Sequence, residues 1–249
     1  MAMRPILIIP ARMASTRLPG KPLAEIEGVP MIVQVLRRGQ EADLGPVVVA
    51  AAEREVCDVV QDAGGTAVLT DPAHPSGSDR IFEALNHADP DGDHDAIINL
   101  QGDLPALDPE TIRAVLAPLQ ADSSVDIGTL VAEIDDPAEV DNPNAVKVVT
   151  AFEAGQQIAR ALWFTRLRAP GGDGPHWHHI GLYAYRRAAL QRFVALPPSP
   201  LEQREKLEQL RALENGMRID TARVQTIPFG VDTPEDLARM RALFASRRI

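Results

Sequence analysis

Ile6-Leu7-Ile8-Ile9-Pro10-Ala11-Arg12-Met13-Ala14-Ser15-Thr16-Arg17-Leu18-Pro19-Gly20-Lys21-Pro22 is the stretch on which the fold turns. Four apolar residues, three of them β-branched, read as a buried strand. A polar loop of small residues and cations follows directly. In open α/β sheets ligands bind beyond the carboxyl ends of strands. Residues 4–21 contain Arg4, Arg12, Arg17 and Lys21 and no acid, in a chain of net charge −10. Ala11, Ala14, Ser15 and Gly20 let backbone N–H groups approach an anion, and the cations supply charge. A basic surface loop balancing acidic neighbours is the plainer reading. Sign, composition and position together favour a triphosphate. The loop matches neither the P-loop pattern nor the Gly-x-Gly-x-x-Gly dinucleotide fingerprint.

Outward from this strand, short β-branched runs alternate with helical patterns. Strands are expected at 47–50, 67–69 and 96–100, with helices from Pro30 through Leu36 and at 53–62, 80–87 and 109–119. Such alternation predicts parallel β-α-β units with right-handed crossovers. After residue 125 the pattern changes. Strands at 127–134, 145–150, 158–164 and 181–185 have fewer helices between them, and helices return at 200–215 and 234–247. The expected arrangement is one domain, 1–249, with a core at 1–125 and a β-rich insertion at about 126–200 that serves as a substrate lid or dimer surface. The Pro/Gly-rich stretch 170–175 reads as a loop.

The 249 residues suffice for one large α/β domain, and a 4% aromatic content predicts a core of Val, Ile, Leu and Ala. The acidic balance argues against nucleic acid and anionic membranes. No apolar run is long enough to span a bilayer or make a signal-peptide core. The one cysteine, Cys57, lies in an apolar helical pattern and reads as a core thiol. A reducing cytoplasm fits these features.

Asp103 follows a strand and Gly102, which permits a tight turn. Its carboxylate either holds Mg²⁺ on nucleotide phosphates or bonds its own turn, and the residues leave both open. In Asp232-Thr233-Pro234-Glu235-Asp236, Thr233 reads as a helix N-cap and Asp236 as its capping-box partner. Asp232 then stands outside the cap and would complete a two-carboxylate metal site beside Asp103. Glu202, Glu205 and Glu208 have the spacing of one helix edge, for which a solvated face is the favoured reading. In His176-Trp177-His178-His179 the spacing is not a zinc pattern. A sugar hydrogen bond suits His179 better, and structural roles suit His176 and His178. Asp91-Gly92-Asp93 imitates a glycosyltransferase metal motif but precedes a strand, so it reads as a solvated turn.

The stretches IPARMASTRLPGKPL (9–23), HPSGSDRI (74–81), INLQGDLP (98–105), NPNAVKVV (142–149), HIGLYAYRR (179–187), SPLEQREKLEQLRALENG (199–216) and GVDTPEDL (230–237) run through nearly the whole chain. Together they resemble the 3-deoxy-manno-octulosonate (Kdo) cytidylyltransferases. The resemblance implies a Rossmann-like nucleotide-diphospho-sugar transferase fold: a mostly parallel central sheet, helices on both faces, and a smaller β-rich insertion. It also implies a cytoplasmic homodimer that needs Mg²⁺, and transfer of CMP from CTP to Kdo for lipopolysaccharide assembly. An 8-amino-Kdo analogue or another acidic sugar is the alternative acceptor. By the same resemblance Arg12 and Lys21 bind the CTP phosphates and act in catalysis with Asp103 and Asp232, which hold the metal. Ala11, Ser76, Gly77 and Arg80 complete the nucleotide site. Arg17, Gln101, His179, Tyr183, Glu208 and Gln209 are the expected sugar contacts. Ala51-Ala52 and Leu167-Arg168-Ala169-Pro170 depart from the family pattern.

Overall fold

Ile6, Leu7, Ile8 and Ile9 are all at most 1% exposed, as a strand covered on both faces requires. They form the middle of β1 (Pro5–Ala11) in a computed structural model that describes residues 3–246. A small hairpin, β2 (Glu25–Ile26) and β3 (Val29–Pro30), leads into α1 (Met31–Glu41). Then come β4 (Val47–Ala51), α2 (Arg54–Asp62), β5 (Thr66–Leu69), α3 (Gly77–Ala88), β6 (Ala96–Asn99) and α4 (Pro109–Ala114). β1 pairs in parallel with β4 and β6, and β5 pairs in parallel with β4, giving the order β5-β4-β1-β6. These strands belong to a first compact unit, residues 1–112 and 228–249.

Residues 113–227 form the second unit. Along the chain it contains α5 (Ala117–Ala121), β7 (Ile127–Glu133), α6 (Pro137–Val140), β8 (Lys147–Val149), β9 (Ile158–Arg160) and β10 (Trp163–Thr165). β11 (Trp177–Arg186), α7 (Arg187–Ala195), α8 (Pro200–Glu205), α9 (Gln209–Glu214) and β12 (Ile219–Val224) follow. β7 lies between antiparallel β11 and parallel β12. β9 pairs antiparallel with β12, and β8 joins β10 to β11. The mixed pairing accords with the low helix content expected here.

The chain then returns to the first unit with α10 (Pro234–Ser246), whose Leu237 and Met240 pack with Leu18, Ile26, Met31 and Val231. The capping box at Thr233 is present: Asp236 N–H donates to Thr233 Oγ1 (3.2 Å) and Thr233 N–H to Asp236 Oδ2 (3.1 Å). Arg247, the expected last residue of this helix, lies outside the described residues.

Three expected elements are each split in two. The helix at 109–119 divides into α4 and α5, because Pro118 has no N–H to continue a helical ladder. The strand at 158–164 divides into β9 and β10, which pair with different neighbours, β12 and β8. The helix at 200–215 ends at Lys206, which is left-handed (φ 59°). Glu208 therefore precedes a new helix, and the three glutamates do not share one edge. The hairpin β2–β3, α6, α7 and β12 are not expected from the sequence. β12 breaks apolar alternation with Asp220 and Thr221, both buried, and α7 shows an apolar face only at Ala189, Leu190 and Phe193.

Candidate active site

At the carboxyl end of β1 the chain turns through residues 12–20 as a loop organised on itself. Ser15 and Gly20 N–H both donate to Met13 O (2.8 and 3.2 Å), and Met13 N–H donates to Glu53 Oε2 at 3.0 Å. Gly20 has φ 71°, a left-handed value that glycine adopts without strain, and caps the 3₁₀ turn Lys21–Leu23. This turn carries Lys21 back over the loop. Gly102 is needed for a different reason: a Cβ there would come 3.0 Å from Pro10 O. The two loops thus lie close enough to wall one cavity of about 370 Å³, to which Ser76, Gly77, Gln101 and Ala11 also contribute.

Four cations line this cavity, Arg12, Arg17, Lys21 and Arg80, against two acids, Asp103 and Asp232. Arg12 is exposed and enters no ion pair among the described residues. Arg80 is only 2% exposed, and its Nη1 donates to Thr70 Oγ1 at 2.6 Å. Burial lowers its pKa, Arg12 adds to the lowering, and Glu53, Glu83 and Asp71 oppose it. A buried guanidinium beside a second cation favours an incoming anion. Ser76 lines the cavity while its hydroxyl caps α3, accepting from Asp79 N–H (3.2 Å) and donating to Asp79 Oδ2 (2.7 Å).

Asp103 and Asp232 meet at Lys21. Its Nζ donates to Asp103 Oδ2 and to Asp232 Oδ1, each at 3.0 Å. The junction is fixed from the backbone, because Val231 N–H donates to Asp103 O at 2.9 Å. Arg17 Nη2 reaches the other oxygen of Asp232 at 3.1 Å. Burial alone would lower the Lys21 pKa; the charges and hydrogen bonds of the two aspartates outweigh it and raise the value. No cluster of three or more His, Cys, Asp or Glu able to hold a metal occurs among the described residues. The arrangement supplies two hard carboxylate donors, a set suited to a cation that draws its other ligands from phosphate and water.

The remaining sugar-contact expectations fall in the second unit. His179, on β11, is 8% exposed and shares a hydrogen bond with Thr129 Oγ1 (3.1 Å). Its ring lies 5.5 Å from Tyr183 and edge-on to Phe164 at 5.0 Å. Burial pushes its pKa down to about 3, with His178 adding a little. Burial raises the Tyr183 hydroxyl well above its ordinary value, with Tyr185 and Glu208 contributing. Gln209, first residue of α9, is buried, and Glu208 stands 3.9 Å from Arg211 Nη2. His176 and His178 bond Pro170 O and Glu139, which suits structural roles.

Two charged groups lie outside the expected set. Lys147 is fully buried, and its Nζ donates to Asn142 O (2.8 Å), Ala145 O (2.6 Å) and Arg166 O (2.7 Å). Arg211 is bidentate on Glu202 (Nε 2.8 Å, Nη2 2.5 Å), tying α9 to α8. The signal for Lys147 is present in the sequence as a single charge inside Val146-Lys147-Val148-Val149.

Comparison with known proteins bears on the whole chain. A family model described as cytidylyltransferase matches residues 6–219. The 3-deoxy-manno-octulosonate cytidylyltransferase of Paramagnetospirillum magneticum is 63% identical over 239 residues, 96% of this chain and 97% of that one. The protein of the same name from Parvibaculum lavamentivorans is 61% identical over 249 residues, covering 100% of this chain and 96% of the relative. A solved structure of CMP:2-keto-3-deoxy-manno-octonic acid synthetase complexed with CTP superposes with a TM-score of 0.90. It is 38% identical and covers 98% of this chain and 99% of its own.

Proposed function

Because this chain belongs to the cytidylyltransferase family, among the 3-deoxy-manno-octulosonate cytidylyltransferases, we propose that it transfers CMP from CTP to Kdo, releasing pyrophosphate. The observation that carries the reading is the cavity of the first unit, where four cations gather at the end of β1 in a protein of net charge −10. That density of positive charge suits a triphosphate, and the two aspartates suit its metal. Asp103 and Asp232 are the residues that would hold Mg²⁺, which when bound would screen phosphate charge and polarise a phosphoryl oxygen. Arg12, Lys21 and Arg80 bind and orient the triphosphate, with Ala11 and Gly77 allowing close backbone approach. Arg17 and Gln101, with His179, Tyr183, Glu208 and Gln209, are proposed to contact the sugar acid.

The anomeric hydroxyl oxygen of Kdo bonds to the α-phosphorus of CTP, the bond from that phosphorus to the bridging oxygen breaks with its electron pair going to pyrophosphate, and the hydroxyl proton passes to solvent. No enzyme nucleophile is needed. Catalysis is then positioning plus neutralisation of charge on the departing pyrophosphate by Lys21 and Arg12. The single cysteine, Cys57, is buried with its pKa raised by that burial, as a reducing cytoplasm permits, and no described helix is long and apolar enough to cross a membrane. The proposal includes a homodimer, for which Leu162 (60% exposed) and Leu167 (71%) in the second unit offer apolar surface.

Pyrophosphate release with each nucleoside triphosphate and each sugar acid tests the reading. CTP with Kdo is expected to be the best pair by far, and Asp103→Asn to fall at least about a hundredfold, roughly 3 kcal/mol of barrier. Equal turnover of Kdo and a sialic acid would sink it.

A further inference from the structure

The aspartates of this site already have a cation. Lys21 Nζ lies within hydrogen-bond reach of both carboxylates, at 3.0 Å from each, and is only 17% exposed at its side chain. Its position is built in: the left-handed Gly20 and the 3₁₀ turn set the lysine backbone, and the Val231–Asp103 backbone bond sets the carboxylates. Arg17, which is 65% exposed, adds a second and more solvated cation on Asp232. A divalent ion seeking the same oxygens must displace the ammonium from both of them. Like charges close together repel, so ion and ammonium compete for the pair. The ammonium leaves more readily where another anion receives it, and a phosphate beside Arg12 and Arg80 would be such an anion.

We propose that Lys21 is the resident counter-ion of the Asp103–Asp232 pair, that it keeps divalent cations off the pair, and that a nucleoside triphosphate lifts the block by drawing the ammonium onto its phosphates. The metal then enters with or after the nucleotide, not before it. The inference rests on the proposed function in one respect, that the cavity receives a nucleoside triphosphate together with a divalent ion.

Manganese(II) alone is the probe, titrated into the full-length protein without nucleotide and followed by electron paramagnetic resonance of the free ion. Wild type is expected to bind weakly. Lys21→Met should bind about tenfold tighter or more, since two charge-assisted contacts no longer compete. Lys21→Arg, which keeps a cation, should stay near wild type. Lys21→Met binding manganese no better than wild type would overturn the proposal. Should Lys21→Met be poorly folded without metal, thermal melts keep the question decidable. Manganese should then raise its melting temperature more than it raises that of wild type, and an equal or smaller rise would overturn the proposal. The pyrophosphate assay separates the two readings. A failed titration with intact CTP and Kdo turnover removes the counter-ion role alone. An expected titration in a protein that uses neither CTP nor Kdo removes the functional reading alone.

Discussion

His179 shows what burial does to one titrating side chain. Its pKa is about 3 in the folded protein against 6.5 for an ordinary histidine. Between these values the unfolded chain binds a proton that the folded chain refuses. Stability is therefore complete above pH 6.5 and is lost as pH falls toward 3, by at most ~1.4 kcal/mol per pH unit from this residue. Urea denaturation of wild type and His179→Phe at steps from pH 7 to pH 4.5 should show a shallower fall in the variant; parallel slopes would refute the assignment. A sequence shows the histidine but not the ring of Tyr183 or Phe164 against it, so neither its burial nor its charge is readable there. The same holds for Lys21. Its charge and loop are legible, but its partners lie 82 and 211 residues away along the chain. Asp232, by contrast, is isolated in the sequence by elimination. The pattern Thr233-Pro234-Glu235-Asp236 accounts for its own capping groups and leaves the neighbouring carboxylate over.

At the scale of elements, Lys147 ties the turn between α6 and β8, through Asn142 O and Ala145 O, to the segment following β10. Burial lowers its pKa, opposed by Asp141 and Glu139, and among the described residues no carboxylate bonds it directly. Lys147→Met keeps much of the volume but leaves three carbonyls without their donor. The variant is expected to lose on the order of 3 kcal/mol of stability, read as an earlier urea midpoint. A loss under about 0.5 kcal/mol, the range of surface changes, would show that water replaces the ammonium. The parallel strands of the first unit are legible because each is a run dominated by apolar residues and bounded by loops. The second unit is less so for local reasons. Lys206 adopts φ 59° although it is not glycine, so nothing in its identity announces the end of α8. Neither does the change of partner between β9 and β10 leave a mark on residues 158–164.

For the molecule as a whole, the family match and the end-to-end coverage of relatives agree with the motifs spread along the chain. Its proposed assembly is directly measurable. Sedimentation equilibrium should give twice the 27.0 kDa chain mass, and a monomer at all accessible concentrations would remove the homodimer. The α/β class is legible from alternation, which depends on residues near one another; the membership of each unit is not, because the first takes its last piece from residues 228–249. That discontinuity has a consequence for synthesis. A ribosome delivers the loop of residues 12–20, Lys21 and Asp103 early, then the whole second unit, and only afterwards Asp232 and α10. A nascent chain halted before Pro228 has one acidic partner for Lys21 instead of two. Leu18, Ile26 and Met31 still await Val231 and α10 as packing partners. On the proposed function, the reaction centre thus waits for the whole second unit to be made, and products terminated before Asp232 are born with only part of it.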